Sequence, residues 1–151
     1  MAKRVADFHL VCRHAVDELS LNHPNRLIVH DGEGEGHGLM DPDRIGQVVS
    51  NLARNAITYS PPETPVTVRS RGQAQGLALE VHNSGPPIPE EVIPTLFEPF
   101  RQGERKSDPD RSIGLGLFIV REIVAAHGGA VSVRSTAAEG TTFQVHIPRP
   151  L

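Results

Sequence analysis

Asn51, Asn55 and Tyr59 recur at intervals of four, so on a helix they line one face. Two carboxamides and a phenol offer neutral oxygens and N–H donors, which suits ligation and hydrogen bonding better than acid or nucleophile chemistry. An amide oxygen can ligate a magnesium ion that already carries phosphate oxygens, because magnesium in such sites keeps few protein ligands. Asn55 is the candidate ligand. Far downstream, in Ser112-Ile113-Gly114-Leu115-Gly116-Leu117-Phe118-Ile119-Val120, a polar stretch turns into an apolar helix. Gly114 and Gly116 leave the backbone bare there, with Leu115 and Leu117 opening the apolar run. Unpaired N–H groups and the positive end of a helix dipole converge at such a point, which makes it a seat for a phosphate. By itself a Gly-x-Gly serves a tight turn or close helix packing equally well.

A third stretch, Asn83-Ser84-Gly85-Pro86-Pro87-Ile88-Pro89, has the parts to read a planar heterocycle. Asn83 supplies an amide, Gly85 allows close approach and Ile88 gives an apolar wall. The plainer alternative is a turn stiffened by prolines. Phe97-Glu98-Pro99-Phe100 forms an aromatic plug, and Arg101–Arg111 follows without an apolar residue. Such a run cannot bury itself, so a surface lid is expected, with Arg101, Arg105, Lys106 and Arg111 in reach of phosphates.

The elements that must hold these groups follow from periodicity. A helix over about Asp7–Ser20 carries Leu10, Val11, Ala15 and Leu19 on its apolar face. Arg26–His30 reads as a strand, and Asp31–Gly38, with a glycine at every second position, as a loop. Asp41 is an N-cap, Pro42 fits the first helical position, and the helix runs to about Tyr59 with Ile45, Val48, Val49, Leu52 and Ala56 as its core stripe. Val66–Arg71 and Leu77–Asn83 form a hairpin whose second strand alternates Leu77, Leu79, Val81 with Ala78, Glu80, His82. Glu90–Phe97 reads as a short helix. A buried helix runs from Gly114 to about His127, where His127 complements the dipole and Gly128-Gly129 caps it. Strands over Ala130–Ser135 and Thr142–Ile147 close the chain.

The 151 residues make one domain of ordinary size, expected to span residues 1–151. With 38% hydrophobic and 22% charged residues the composition is that of a globular protein. A net charge of −3 leaves no basic field for nucleic acid. The lone cysteine, Cys12, excludes an internal disulfide and reads as a buried thiol. No apolar run reaches spanning length and no signal-peptide layout is present, so no direct membrane contact is expected and a cytoplasmic location is, with the parent protein free to carry an anchor.

With Asn51-Leu52-Ala53-Arg54-Asn55-Ala56, the Gly85 turn, the Phe97 plug, Gly114-Leu115-Gly116-Leu117 and Gly140-Thr141-Thr142-Phe143 in this order, the chain from about Phe8 to Pro148 resembles a known family. It is the ATP-binding catalytic domain of bacterial sensor histidine kinases, with the Bergerat-type fold shared by gyrases, heat-shock chaperones and mismatch-repair ATPases. The resemblance implies an α/β two-layer sandwich, its mixed and mostly antiparallel sheet carrying three helices on one face. It implies ATP and Mg2+ as ligands, held between helices and lid. Asn55 looks like the magnesium-ligating asparagine, Tyr59 the aromatic flanking adenine, Gly85 the glycine of the adenine-side turn, Gly114 and Gly116 the phosphate-side pair, and Thr142 the threonine near the base.

Three positions depart from the family pattern. The adenine-reading aspartate falls at Asn83, the turn's second glycine at Pro87, and a basic residue common on the second helix at Thr58. Hydrolytic relatives place a catalytic glutamate where Asn51 stands, and asparagine is a poor base, so transfer to a side chain is favoured over hydrolysis. No histidine here, His14 included, sits in a His-Glu-Leu-Arg-like setting. The resemblance therefore implies a phosphoacceptor histidine on a separate dimerisation domain and a response regulator further on. Two rivals stand beside the histidine kinase: an anti-sigma serine kinase of the same fold, and a degenerate module whose departures have weakened nucleotide binding.

Overall fold

A computed structural model describes residues 1–99 and 111–149, the side chains of residues 111–114 excepted. Strand β1 (Arg4–Asp7) leads directly into helix α1 (Phe8–Asn22), and the Asp7 carboxylate caps that helix by accepting from the His9 N–H at 3.0 Å. Phe8, Cys12, Ala15, Val16 and Leu19 are its buried residues, spaced along one stripe. Leu10 is 49% exposed, contrary to the expected face, because two positions from Phe8 turn it about 200° around the axis.

Strands β2 (Ile28–Glu33) and β3 (His37–Met40) replace most of the loop expected over residues 31–38. β3 pairs antiparallel with β1, Arg4 opposite Met40, in a small sheet of its own. The glycines of this stretch serve close approach rather than looseness: at Gly34, φ is +81° and a Cβ would lie 2.2 Å from the Gly72 carbonyl oxygen. Helix α2 (Pro42–Thr58) begins as expected, with Asp41 accepting from the N–H groups of Asp43 and Arg44 at 3.2 and 3.3 Å.

The main sheet contains β2, β4 (Val66–Gln73), β5 (Gly76–Asn83), β6 (Ala130–Thr136) and β7 (Gly140–Pro148), in the order β2-β4-β5-β7-β6. The β2–β4 pair is parallel and every other pair antiparallel, so the sheet is mixed. On β5 Leu77, Leu79 and Val81 face inward, and on β7 Phe143, Val145 and Ile147 do. With stripes from α1, α2 and helix α3 (Arg111–Ala126) they form one core between the helical layer and one face of the sheet. This is the expected two-layer α/β sandwich.

Two expected elements differ. Glu90–Phe97 contains only a 3-10 turn, Ile93–Thr95, because Pro94 lacks the N–H that an α-helical turn requires. Helix α3 starts at Arg111 instead of Gly114, so the glycines lie within its first turns. Nothing in Arg-Ser-Ile opposes helix, and an interior glycine costs only about 1 kcal/mol against alanine. At its other end Gly128, with φ +74°, and Gly129 bond back to Ala125 and Val124, as a C-cap should. Phe100 and residues 101–110 of the expected lid lie outside the described residues.

Candidate functional site

Between the C-terminal half of α2 and the ends of β5 and β7 lies a cavity of about 390 Å3. Asn55 and Tyr59 enter it from α2, one helical turn apart. Asn83 and Thr141 enter from the sheet, where they are directly paired neighbours. Ile88 and the prolines at 86, 87 and 89 make one wall, and Phe143 the floor. Phe97 stacks edge-to-face on Phe143, with ring centres 5.9 Å apart and an interplanar angle of 86°.

The polar groups here are held by structure. Asn55 is 6% exposed and Asn83 4%, whereas Tyr59, the residue that caps α2, is 43% exposed and stands at the rim. The Asn83 amide donates through Nδ2 to the Ser84 carbonyl at 3.1 Å, leaving Oδ1 as its acceptor. Gly85 closes the turn at φ +133°, where a Cβ would meet Pro61 Cδ at 3.1 Å and the Tyr59 carbonyl at 3.5 Å. Only glycine brings the turn this near the end of α2. No lining residue carries a formal charge, so the cavity offers a narrow apolar slot with neutral acceptors and hydroxyls around it.

Asn51 and Gly116 bring the phosphate-side segment to the same helix. The Asn51 amide donates through Nδ2 to the Gly116 carbonyl at 3.3 Å, one turn before Asn55. Leu115, Gly116 and Leu117 do not line the cavity themselves, and Leu117 is buried in the core. The N–H of Gly116, expected bare, falls inside a helix that starts five residues earlier; Gly114 lies in the first turn.

Thr142, expected beside the base, is on the opposite face of the sheet, in a groove with Arg69, His82 and Arg134. Its neighbour Thr141 is 4% exposed and lines the cavity. The reason is strand alternation: Phe143, Val145 and Ile147 mark the inward phase, to which Thr141 belongs. That phase was readable from the sequence and identifies Thr141. The roles of Phe143, Val92 and Leu96 had no signal beyond hydrophobicity.

Among the described residues no His, Cys, Asp and Glu group could by itself hold a metal. Asn55, a buried amide facing the cavity, fits a magnesium ion that brings its other oxygens from phosphates and water. No helix among the described residues is long and apolar enough to cross a membrane.

Comparison with known proteins bears on this arrangement. The model of a family described as histidine kinase-, DNA gyrase B- and HSP90-like ATPase matches residues 40–151. The sensor protein VanSC of Enterococcus gallinarum is 38% identical over 112 residues, 74% of this chain and 30% of that protein. The heme sensor protein HssS of Staphylococcus haemolyticus is 40% identical over 104 residues, 69% of this chain and 22% of that protein. The chain thus spans less than a third of the length of these curated relatives. The nucleotide-free catalytic domain of histidine kinase ThkA superposes with a TM-score of 0.83 at 28% identity, covering 99% of this chain and 97% of that one. Full-length ShkA in complex with AMPPNP gives a TM-score of 0.83 at 25% identity, covering 99% of this chain and 31% of that one.

Proposed function

The chain belongs to the histidine kinase-, DNA gyrase B- and HSP90-like ATPases, and from that premise we propose that it is the catalytic domain of a two-component sensor histidine kinase, binding Mg·ATP in the Asn55 cavity. Its γ-phosphoryl group passes to a histidine on a separate dimerisation domain, and from there to a response regulator. The reading places the domain in the cytoplasm, with any membrane anchor elsewhere in the parent protein.

The observation that carries this reading is the meeting of Asn55, Tyr59, Asn83 and Thr141 around one apolar slot, with Asn51 tying α2 to Gly116 beside it. A purine fits the slot, with Ile88 and Tyr59 against it and Asn83 Oδ1 accepting from an exocyclic amine. Asn55 would hold the magnesium ion, which when bound neutralises charge on the phosphates. Asn51 cannot take a proton from water, and its amide is occupied by Gly116. Water activation therefore has no base on the part of α2 that faces the cavity, and the domain's contribution is to hold and orient the triphosphate for an incoming nucleophile.

Calorimetric titration with AMPPNP tests the reading. Binding is expected in Mg2+, with the metal-dependent part lost in Asn55→Ala. With labelled ATP and the histidine-bearing domain of its parent, acid-labile phosphohistidine is expected. Absence of metal-dependent binding in the unaltered chain overturns the proposal.

A further inference from the structure

Ser135 lies on β6, outside the cavity lining, opposite Thr141 in the β6–β7 register. Among the described residues its hydroxyl makes two hydrogen bonds. The Ile88 N–H donates to Oγ at 2.8 Å, and Oγ lies 2.7 Å from Thr141 Oγ1. One side chain therefore ties the wall of the cavity to the hydroxyl of a residue that lines it.

Proton counting makes this more than a brace. An N–H can only donate, so Ser135 Oγ is an acceptor towards Ile88 and keeps its own proton for Thr141. When Ser135 donates to Thr141, the Thr141 proton is released and can point into the cavity. When the direction reverses, Thr141 presents only a lone pair. The bond to Ser84 fixes the amide orientation of Asn83, which is paired with Thr141 across β5 and β7, and leaves Oδ1 as an acceptor. An acceptor and a donor then stand side by side, which matches the amine and ring nitrogen of a 6-aminopurine and mismatches a 6-oxopurine.

We propose that Ser135 is a positioning residue for base selection: through Ile88 and Thr141 it sets the cavity to prefer adenine over guanine. The inference rests on the nucleotide-binding reading above. It concerns only the base, since among the described residues Ser135 has no hydrogen bond on the Asn55 or Gly116 side.

The test is displacement of a fluorescent ATP analogue from the whole chain, in Mg2+, by AMPPNP and by GMPPNP, which share ribose and triphosphate and differ in the base. Ser135→Ala is expected to weaken AMPPNP by about 5- to 10-fold and GMPPNP by less than about twofold, narrowing the adenine preference. Ser135→Cys, which fills the same space but accepts weakly, should shift the ratio in the same direction. Ser135→Thr, which keeps the hydroxyl, should restore it. An unchanged AMPPNP-to-GMPPNP ratio in the Ala and Cys variants, including equal losses for both nucleotides, overturns the inference and leaves the binding reading standing. A parent chain that binds neither nucleotide overturns both.

Discussion

The carboxamide of Asn51 donates to the Gly116 carbonyl across 3.3 Å, and a Cβ added at Gly116 would sit 3.7 Å from that same amide. The distance is ordinary van der Waals contact, so Gly116→Ala meets no clash in the folded chain. Within a helix the substitution removes glycine's entropic penalty, and the unliganded protein should gain about 0.5–1 kcal/mol in urea unfolding. If the phosphates of the proposed nucleotide approach this backbone, the added methyl should lower nucleotide affinity. A variant that is both more stable and an equally good binder would separate Gly116 from the phosphates.

Thr141 and Thr142 give a paired prediction, since they are adjacent in the chain and on opposite faces of the sheet. Thr141→Val keeps the shape and removes a hydroxyl beside the cavity, and AMPPNP affinity should drop about tenfold. Thr142→Val should leave it unchanged. The reverse ordering in the same titration would return the base-side role to Thr142.

The same pair marks how far the sequence alone reaches. The four-residue spacing of Asn51, Asn55 and Tyr59 and the caps of α2 are local features, and the helix formed around them with its expected stripe. Thr141 was also available, because β7 announces its inward phase through Phe143, Val145 and Ile147. Other features depend on partners distant in the chain. Arg4–Asp7 becomes a strand only because His37–Met40 pairs with it, and the glycines at 32, 34 and 36 look like a loop until α1 and β4 are packed against them. The Gly-x-Gly reads as a helix start because a polar stretch gives way to an apolar run there, yet a glycine penalty of about 1 kcal/mol is too weak to keep the helix from beginning earlier.

His127 joins the end of α3 to the start of α2 through both of its ring nitrogens. Nδ1 lies 2.8 Å from the Ile123 carbonyl and must donate, while Nε2 accepts the Asp41 N–H at 3.1 Å. The ring is therefore a hydrogen-bonded bridge between the two helices. His127→Ala should destabilise the fold by about 2 kcal/mol, since it leaves the Asp41 N–H without its acceptor and removes a buried ring. Chemical denaturation with an unchanged midpoint would contradict the bridge.

Ser70 is buried between two imidazoles, His9 Nδ1 at 2.7 Å and His30 Nε2 at 2.8 Å. His9 Nε2 must donate to the Gly34 carbonyl at 2.8 Å, and the Ser70 hydroxyl bridges the facing nitrogens of the two rings. Burial first, then the charges of Arg13 and His9, hold the His30 pKa below the ordinary histidine value. The unfolded chain therefore binds more protons in this range than the folded one, and stability rises with pH. His30's contribution should be complete above about pH 6.5 and be lost as pH falls through the depressed folded value. Thermal midpoints measured from pH 8 to 5 should show this decline, and it should shrink in His30→Gln, which donates without titrating. An equal decline in the variant would assign it to other groups.

Asn83→Asp sets two effects against each other. A carboxylate accepts from an exocyclic amine more strongly than an amide oxygen does, by roughly a factor of two in hydrogen-bond energy, which favours tighter ATP binding. The substitution also deletes the Nδ2 donor and turns an oxygen towards the Ser84 carbonyl 3.1 Å away, in a site where the side chain is 4% exposed. Burial without that partner costs stability of the free protein. The bound amine supplies a donor to the carboxylate and offsets part of that cost. The expected result is a lower unfolding midpoint without nucleotide and a tighter AMPPNP affinity, visible as a larger midpoint rise on adding Mg·AMPPNP than in the parent. Weaker binding in Asn83→Asp would mean that the Ser84 contact, and not the charge of the acceptor, governs how this position meets the base.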